Sequence, residues 1–145
     1  MEIEQLSTDN LTHLIGLVLE LWDDCKFEEE FEDYQKIIGS ENEICYLCKI
    51  QEGYIGFLHV SSRNDYVEGA TDFPVAYVEA IYVKPIYQKE GIGKKLMGFA
   101  ENWAKQKGYI QLASDTNLTN TASIDFHKKI GFSETERIVC FIKDL

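Results

Sequence analysis

Seven residues, Gln88-Lys89-Glu90-Gly91-Ile92-Gly93-Lys94, form the arrangement in this chain best suited to holding a phosphate. The apolar run Ala76 to Val83 precedes them, and the amphipathic segment Lys94 to Lys107 follows. A strand, a turn with two glycines separated by one residue, and a helix present the free N–H groups of the helix's first turn to an anion, with the helix dipole behind them. Gly91 and Gly93 are expected to take positive φ and to let the backbone approach a ligand closely. Two other phosphate devices do not fit. A Walker loop needs Gly-x-x-x-x-Gly-Lys-Ser/Thr, which the chain nowhere spells, and a dinucleotide fingerprint needs a third glycine where Leu96 stands. A plain tight turn before a helix is the other reading of the same residues.

Carboxylates are the second chemical resource. Glu79 lies mid-strand among Val78, Ala80 and Ile81, where a charged side chain more often has a function than not. Acid is also concentrated from Glu20 to Glu43, where ten carboxylates meet only Lys26 and Lys36, giving this stretch −8 of the formal −11. It reads equally as a solvated helix face and as an acidic wall that attracts a cationic substrate. The overall negative charge speaks against nucleic acid as a partner. Cys45 and Cys48 form a CxxC, but inside Ile44 to Ile50, which reads as a strand. Residues three apart on a strand point to opposite faces, which suits neither a shared metal nor a redox turn, so reduced, buried thiols and no metal are expected.

These groups need a scaffold, and the apolar pattern supplies one. Glu2 to Leu6 reads as a strand, Leu11 to Trp22 as a helix capped by Ser7, Thr8 or Asp9, and about Glu28 to Ile38 as an acidic helix. Ile44 to Ile50 and Tyr54 to Ser61 form a hairpin around Glu52-Gly53, and a polar loop from Ser62 to Pro74 leads into the strand Ala76 to Val83. Lys94 to Lys107 is a helix ended by Gly108, Tyr109 to Ala113 a strand, Asn120 to Ile130 a helix stopped by Gly131, and Arg137 to Lys143 a closing strand. The order is that of an α/β (α+β) fold with a central mixed, mostly antiparallel sheet and helices on both faces. At 145 residues one domain, 1–145, is expected. No apolar stretch is long enough to span a membrane and the N-terminus is unlike a secretory signal, so a cytoplasmic protein is expected.

The glycine loop resembles the Gln/Arg-x-x-Gly-x-Gly/Ala pyrophosphate loop of the GNAT superfamily of N-acetyltransferases. The order of elements is similar to that superfamily's fold from end to end. Asn120, His127 and Gly131-Phe132 stand where many of its members have an Asn, an aromatic hydroxyl seven residues on, and Gly-Phe. A narrower resemblance, to aminoglycoside 6′-N-acetyltransferases, rests on several segments. They are Leu21-Trp22, Tyr66-Val67-Glu68-Gly69, Glu79-Ala80-Ile81-Tyr82-Val83, Ala113-Ser114-Asp115, Asn120, Ser123, His127, and Glu134-Thr135-Glu136.

The resemblance implies acetyl-CoA as co-substrate, with Ile81, Tyr82 and Val83 pairing through their backbone with its pantetheine arm. Gln88, Lys89, Glu90, Gly91, Ile92, Gly93 and Lys94 would hold its pyrophosphate, and Asn120 would hydrogen-bond the pantetheine. It implies an acceptor site of Trp22, Tyr66, Glu79, Asp115 and Glu136, where carboxylates meet a polycation's ammonium groups and aromatic faces meet sugar rings. Glu79, then Asp115, is the expected base for the amine, and His127 the candidate acid for the CoA thiolate, beside a simpler reading as a packed helix-end residue. A homodimer, in some relatives formed by exchanging C-terminal strands, is also implied. An acetyltransferase for a polyamine or peptide N-terminus, and a non-catalytic CoA-binding module, are the alternative readings.

Overall fold

The computed structural model describes residues 1–145, and its centre is one five-stranded sheet in the order β1-β2-β3-β4-β5. The strands are β1 (Glu2–Gln5), β2 (Glu43–Ile50), β3 (Gly53–Arg63), β4 (Val75–Val83) and β5 (Leu112–Ser114). The first four pair antiparallel and β5 joins β4 in parallel. The helices are α1 (Leu11–Leu21), α2 (Phe27–Gln35), α3 (Ile92–Gln106) and α4 (Thr121–Lys129), with a single 3₁₀ turn, Pro85–Tyr87, between β4 and α3. This is the mixed, mostly antiparallel sheet with helices on both faces that the sequence predicts.

Two apolar layers hold the sheet. On one face Leu96, Met97, Ala100 and Trp103 of α3 pack on Cys48, Leu58, Val60, Ala76 and Val78. On the other, Leu14, Ile15 and Val18 of α1 and Tyr34 of α2 pack on Cys45, Leu47, Phe57 and Ala80. Cys45 and Cys48 thus enter opposite cores, and all four cysteines are free.

β4 does not alternate uniformly. Ala80 pairs with His59 and Val78 with Val60, so Glu79 is an extra residue opposite the His59–Val60 step, a β-bulge. Val83 and Ile81 face α3, as do Val78 and Ala76, and the even–odd phase changes at Glu79. The bulge turns Glu79 to the same side as Ser61, Arg63 and Tyr77.

Three expectations are corrected. Arg137 to Lys143 forms no strand: residues 132–145 have no regular pairing, with Phe141 92% and Ile142 96% exposed. A lone apolar strand needs a neighbour to satisfy its backbone, and within one chain this segment finds none. β5 begins at Leu112 rather than Tyr109, because Tyr109 completes the end of α3. Gly108 (φ +82) donates to Lys105 O at 3.0 Å and Tyr109 to Ala104 O at 2.9 Å, a Schellman cap, while the Tyr109 ring packs edge-on against Trp103. β3 runs past Ser61 to Arg63, which the sequence placed in a loop.

Candidate active site

β4 and β5 pair only from Ala76 with Leu112 to Val78 with Ser114. Beyond the bulge the two strands part, and Ala80 to Val83 keep a strand partner on the β3 side alone. Apart from Val83 O, which the Gln88 side chain holds, the free edge of β4 leaves N–H and C=O groups suited to an extended ligand carrying amides of its own.

One end of this opening is the glycine loop. Gly91 is the N-cap of α3 with φ +84, and Lys89 is also left-handed at φ +66. The first α3 bond runs from Lys95 N to Gly91 O at 3.1 Å, and no side chain caps the helix. The N–H groups of Ile92, Gly93 and Lys94 therefore remain for an anion. The Gln88 side chain donates to Val83 O at 2.8 Å, tying loop to strand. Gly93 departs from expectation: it sits in the helix without positive φ. A Cβ there would lie 3.0 Å from Phe126 Cε1, so its smallness lets α4 approach α3. At Gly91 a Cβ would meet nothing, and only the backbone angle forbids a side chain.

Gly91→Val is accordingly expected to keep the fold, at a stability cost from its strained backbone angle, and to weaken binding of the expected acetyl-CoA about tenfold or more. Gly93→Val is expected to lower the melting temperature as well, by forcing Phe126 away. Calorimetric titration and thermal melts of the two variants separate these effects; unchanged binding in Gly91→Val would remove the phosphate role of the loop.

On the α1 side of the sheet, around the bulge, lies a charged cluster. Glu79 Oε1 accepts from Ser61 Oγ at 2.6 Å and Arg63 Nε at 2.8 Å, while Oε2 accepts from Arg63 Nη2 at 2.7 Å. The Arg63 guanidinium lies 3.5 Å from the centre of the Tyr77 ring, and the Tyr77 hydroxyl donates to Asp115 Oδ2. Burial pushes the Glu79 carboxyl up, but the hydrogen bonds from Arg63 and Ser61 outweigh it and hold it below the usual carboxylate range. Burial, then the bond to Asp115, pushes the Tyr77 phenol well up, so it remains a donor. Glu79 and Asp115 thus meet in one network, as the sequence predicts, with Ser61, Arg63 and Tyr77 between them.

The remaining site residues sit apart from this network. Trp22 follows α1 and is 39% exposed, outside the core, and Tyr66 is 79% exposed on the β3–β4 loop. That loop is held at Gly69, where a Cβ would come within 2.6 Å of Thr135 Cγ2. Glu20 bonds Tyr82 and Lys84 at 3.0 and 3.3 Å, fixing the end of α1 to β4. Glu136 lies on the exposed C-terminal segment, where it accepts from Arg137 N and makes no hydrogen bond to the network of Glu79 and Asp115. The acidic α2 places Glu28, Glu29 and Glu30 in its first turn, where they also favour the helix dipole.

Across the opening, the Asn120 side chain caps α4 by accepting from Ser123 N at 3.1 Å, leaving its amide nitrogen free. His127 Nδ1 lies 2.7 Å from Ser123 O, which can only accept; Nε2 then faces the Ser114 hydroxyl at 2.7 Å as its acceptor. Neutral His127 therefore directs no proton of its own toward the opening, and Ser114 stands between them.

Residues 6–132 match the sequence model of the acetyltransferase (GNAT) family. The chain belongs to that family. Aminoglycoside N(6′)-acetyltransferase type 1 of Salmonella typhimurium is 33% identical over 143 residues, 99% of each chain. The protein of the same name from Acinetobacter genomosp. 13 is 36% identical, covering 100% of this chain and 99% of its own. The solved structure of AAC(6′)-Iy with the bisubstrate analog CoA-S-monomethyl-acetylneamine has a TM-score of 0.94 at 32% identity, covering 99% of this chain and 98% of that one. The GNAT fold expected from the glycine loop and element order is thus the fold of this chain.

Sequence reasoning missed Ser61, Arg63 and Tyr77. The signal available was their spacing: residues 61 and 63 share one face of β3, opposite the strand bearing Glu79.

Proposed function

We propose that this chain transfers acetyl from acetyl-CoA to the 6′-amine of an aminoglycoside within a ternary complex. The observation that carries the reading is the full-length likeness to AAC(6′)-Iy in complex with a bisubstrate analog. The geometry supports it: an open β4 edge for a pantetheine, free N–H groups at the start of α3 for a pyrophosphate, and carboxylates beside them for a polycation.

In this reading Ile81, Tyr82 and Val83 hold the pantetheine as an added strand, with the Asn120 amide nitrogen, and residues 88–94 hold the pyrophosphate. The ammonium loses a proton to Glu79, directly or through one water, with Asp115 as the second candidate. The freed nitrogen lone pair forms a bond to the thioester carbonyl carbon, the C–S bond breaks, CoA leaves as its thiolate, and the nitrogen gives up its second proton to water to become the neutral amide. His127 can act as the acid for that thiolate only in its protonated form, passing a proton from Nε2 to the Ser114 hydroxyl as the hydroxyl gives its own to the sulfur. Placing amine and thioester together supplies most of the acceleration. No group of three or more His, Cys, Asp or Glu side chains is placed to hold a metal ion, and none is required by this chemistry.

The test is CoA thiol release with kanamycin A, spermidine and a peptide N-terminus as acceptors. Turnover of kanamycin A is expected; turnover of only spermidine or the peptide would assign a different amine.

One acetyltransferase domain, acting as a homodimer, completes the proposal. β5 has a free outer edge, and a cavity of about 340 Å³ beside it is lined by Gln111, Ala113, Phe132 and Thr135. The exposed Ile138, Val139, Phe141, Ile142 and Leu145 need cover, and a partner's β5 edge offers it. Sedimentation at micromolar concentration should show a dimer, and Phe141→Asp/Ile142→Asp a monomer; a monomeric wild type would end the proposal. The four free cysteines fit a reducing, cytoplasmic setting, and no helix is long and apolar enough to cross a membrane.

A further inference from the structure

An arginine in a site for polycations is electrostatically out of place. Arg63 repels the ammonium groups that Glu79 and Asp115 attract, and lowers the negative charge they meet. It is nevertheless bound to Glu79 through two of its donors in a fork, with its plane stacked on Tyr77. Such bidentate geometry fixes a carboxylate's orientation as well as its charge.

The lone pairs of Glu79 can be counted. Each carboxylate oxygen offers two acceptor positions. Oε1 uses both, for Ser61 Oγ and Arg63 Nε; Oε2 uses one, for Arg63 Nη2. One position, on Oε2, is left. Glu79 is also the inserted residue of the bulge, so its backbone is not fixed by a matched partner on β3. Its side chain owes its direction to Ser61 and Arg63.

We propose that Arg63 is a positioning residue for acetyl transfer, clamping the Glu79 carboxylate so that a single Oε2 lone pair receives the acceptor amine or its bridging water. This rests on the reading that Glu79 meets the acceptor. Arg63 in turn is held by the Tyr77 face, and Tyr77 by Asp115, so the two expected carboxylates act through one rigid chain of contacts. The pair is only partly buried, with Arg63 side-chain exposure of 39% and Glu79 of 25%, so the open lone pair is within a substrate's reach.

The charged and titratable groups around Glu79 are His59 and Arg63 on β3, Tyr77 on β4 and Asp115 just after β5, with Glu43 of β2 paired to His59 at 3.0 Å. Of these Arg63 is the cation in direct contact. Without it, burial acts on Glu79 with only the Ser61 hydroxyl and the charge of His59 to oppose it, and its carboxyl rises.

The test is a cycle of Arg63→Met, Glu79→Gln and the double variant, with Arg63→Lys and Ser61→Ala beside them. Each is assayed for kcat, KM for kanamycin A, pH profile of kcat/KM, and acetyl-CoA affinity by calorimetry. Arg63→Met is expected to lower kcat/KM about 10- to 100-fold. Its acid limb should move to higher pH, with acetyl-CoA affinity within about twofold of wild type. Arg63→Lys, which keeps the charge but not the fork, should restore the acid limb more fully than kcat; Ser61→Ala should show a smaller loss of the same kind. In the Glu79→Gln background Arg63→Met should add little, because both act through one carboxylate. Full additivity, or an unshifted acid limb with unchanged kcat/KM, would overturn the clamp. If Arg63→Met fails to fold, Arg63→Lys and Ser61→Ala decide: wild-type kcat/KM and pH profiles in both overturn it. Wild-type turnover in Glu79→Gln would instead remove Glu79 from the reaction, a failure of the underlying reading and separately visible.

Discussion

Paromomycin, which carries a hydroxyl at the 6′ position, is expected to bind this enzyme but to be acetylated at least about 1,000-fold more slowly than neomycin, which carries an amine there. Binding survives because the remaining ammonium groups still meet carboxylates, each such contact being worth about 1 kcal/mol in water and about 4 at an intermediate dielectric. Transfer fails because of the proton. Glu79 is held below the usual carboxylate range by Arg63 and Ser61, so it is a weak base. A weak base can still take a proton from an ammonium, giving the small fraction of neutral amine that attacks, but the much less acidic alcohol keeps its proton and is a poor nucleophile. Competition of paromomycin against neomycin, with NMR location of the acetyl group, is the measurement. Equal turnover of the two drugs, or acetyl on another ring, would remove the 6′ assignment and leave the fold and cofactor site standing.

Glu79→Gln should carry the second large effect, a fall in kcat of about 100-fold with acetyl-CoA affinity unchanged. The substitution is not isosteric in its hydrogen bonding. An amide has one acceptor oxygen, and its nitrogen would oppose a donor of Arg63 or Ser61, so the fork cannot close on both sides. If Glu79 accepts the proton, raising the pH should restore part of the rate, since more amine arrives neutral; if it only binds ammonium, KM should rise and pH should not help. Stability follows a separate course. A carboxyl lowered on folding stabilises the native state above its unfolded value of 4.5, and that contribution is lost as pH falls through the lower folded value. Wild-type turnover in the variant at neutral pH would exclude both roles.

The glycine loop, β4 and the position of Glu79 were all legible in the sequence, because strand periodicity and the Gly-x-Gly turn are local signals. What escaped was non-local. Arg63 reads as a loop residue until β3 is extended two places, and its meaning comes only from the strand opposite. Gly93 looks like a second backbone hinge, whereas its role depends on Phe126, thirty-three residues on. The C-terminal alternation does predict strand-forming residues. A strand also needs an edge to pair with, and this one is not supplied by its own chain. Glu136 goes with it, and so the third carboxylate of the expected site makes no hydrogen bond to the network of the other two.

The bulge at Glu79 sets a constraint on length. Before it, even-numbered residues of β4 face α3; after it, odd-numbered ones do. Deleting the inserted residue would restore a plain alternation with Ala76, Val78, Ile81 and Val83 all still facing α3, whereas inserting or deleting one residue elsewhere in the strand would turn residues between that point and the bulge to the wrong face. The inserted position therefore behaves as a parity mark in the chain. Substitutions at residue 79 change the group held by Ser61 and Arg63 without changing which residues face the core, whereas insertions and deletions elsewhere in Val75–Val83 change which surface of the strand is inside. A carboxylate placed at the bulge keeps its side of the sheet for as long as the count of residues on either side of it is kept.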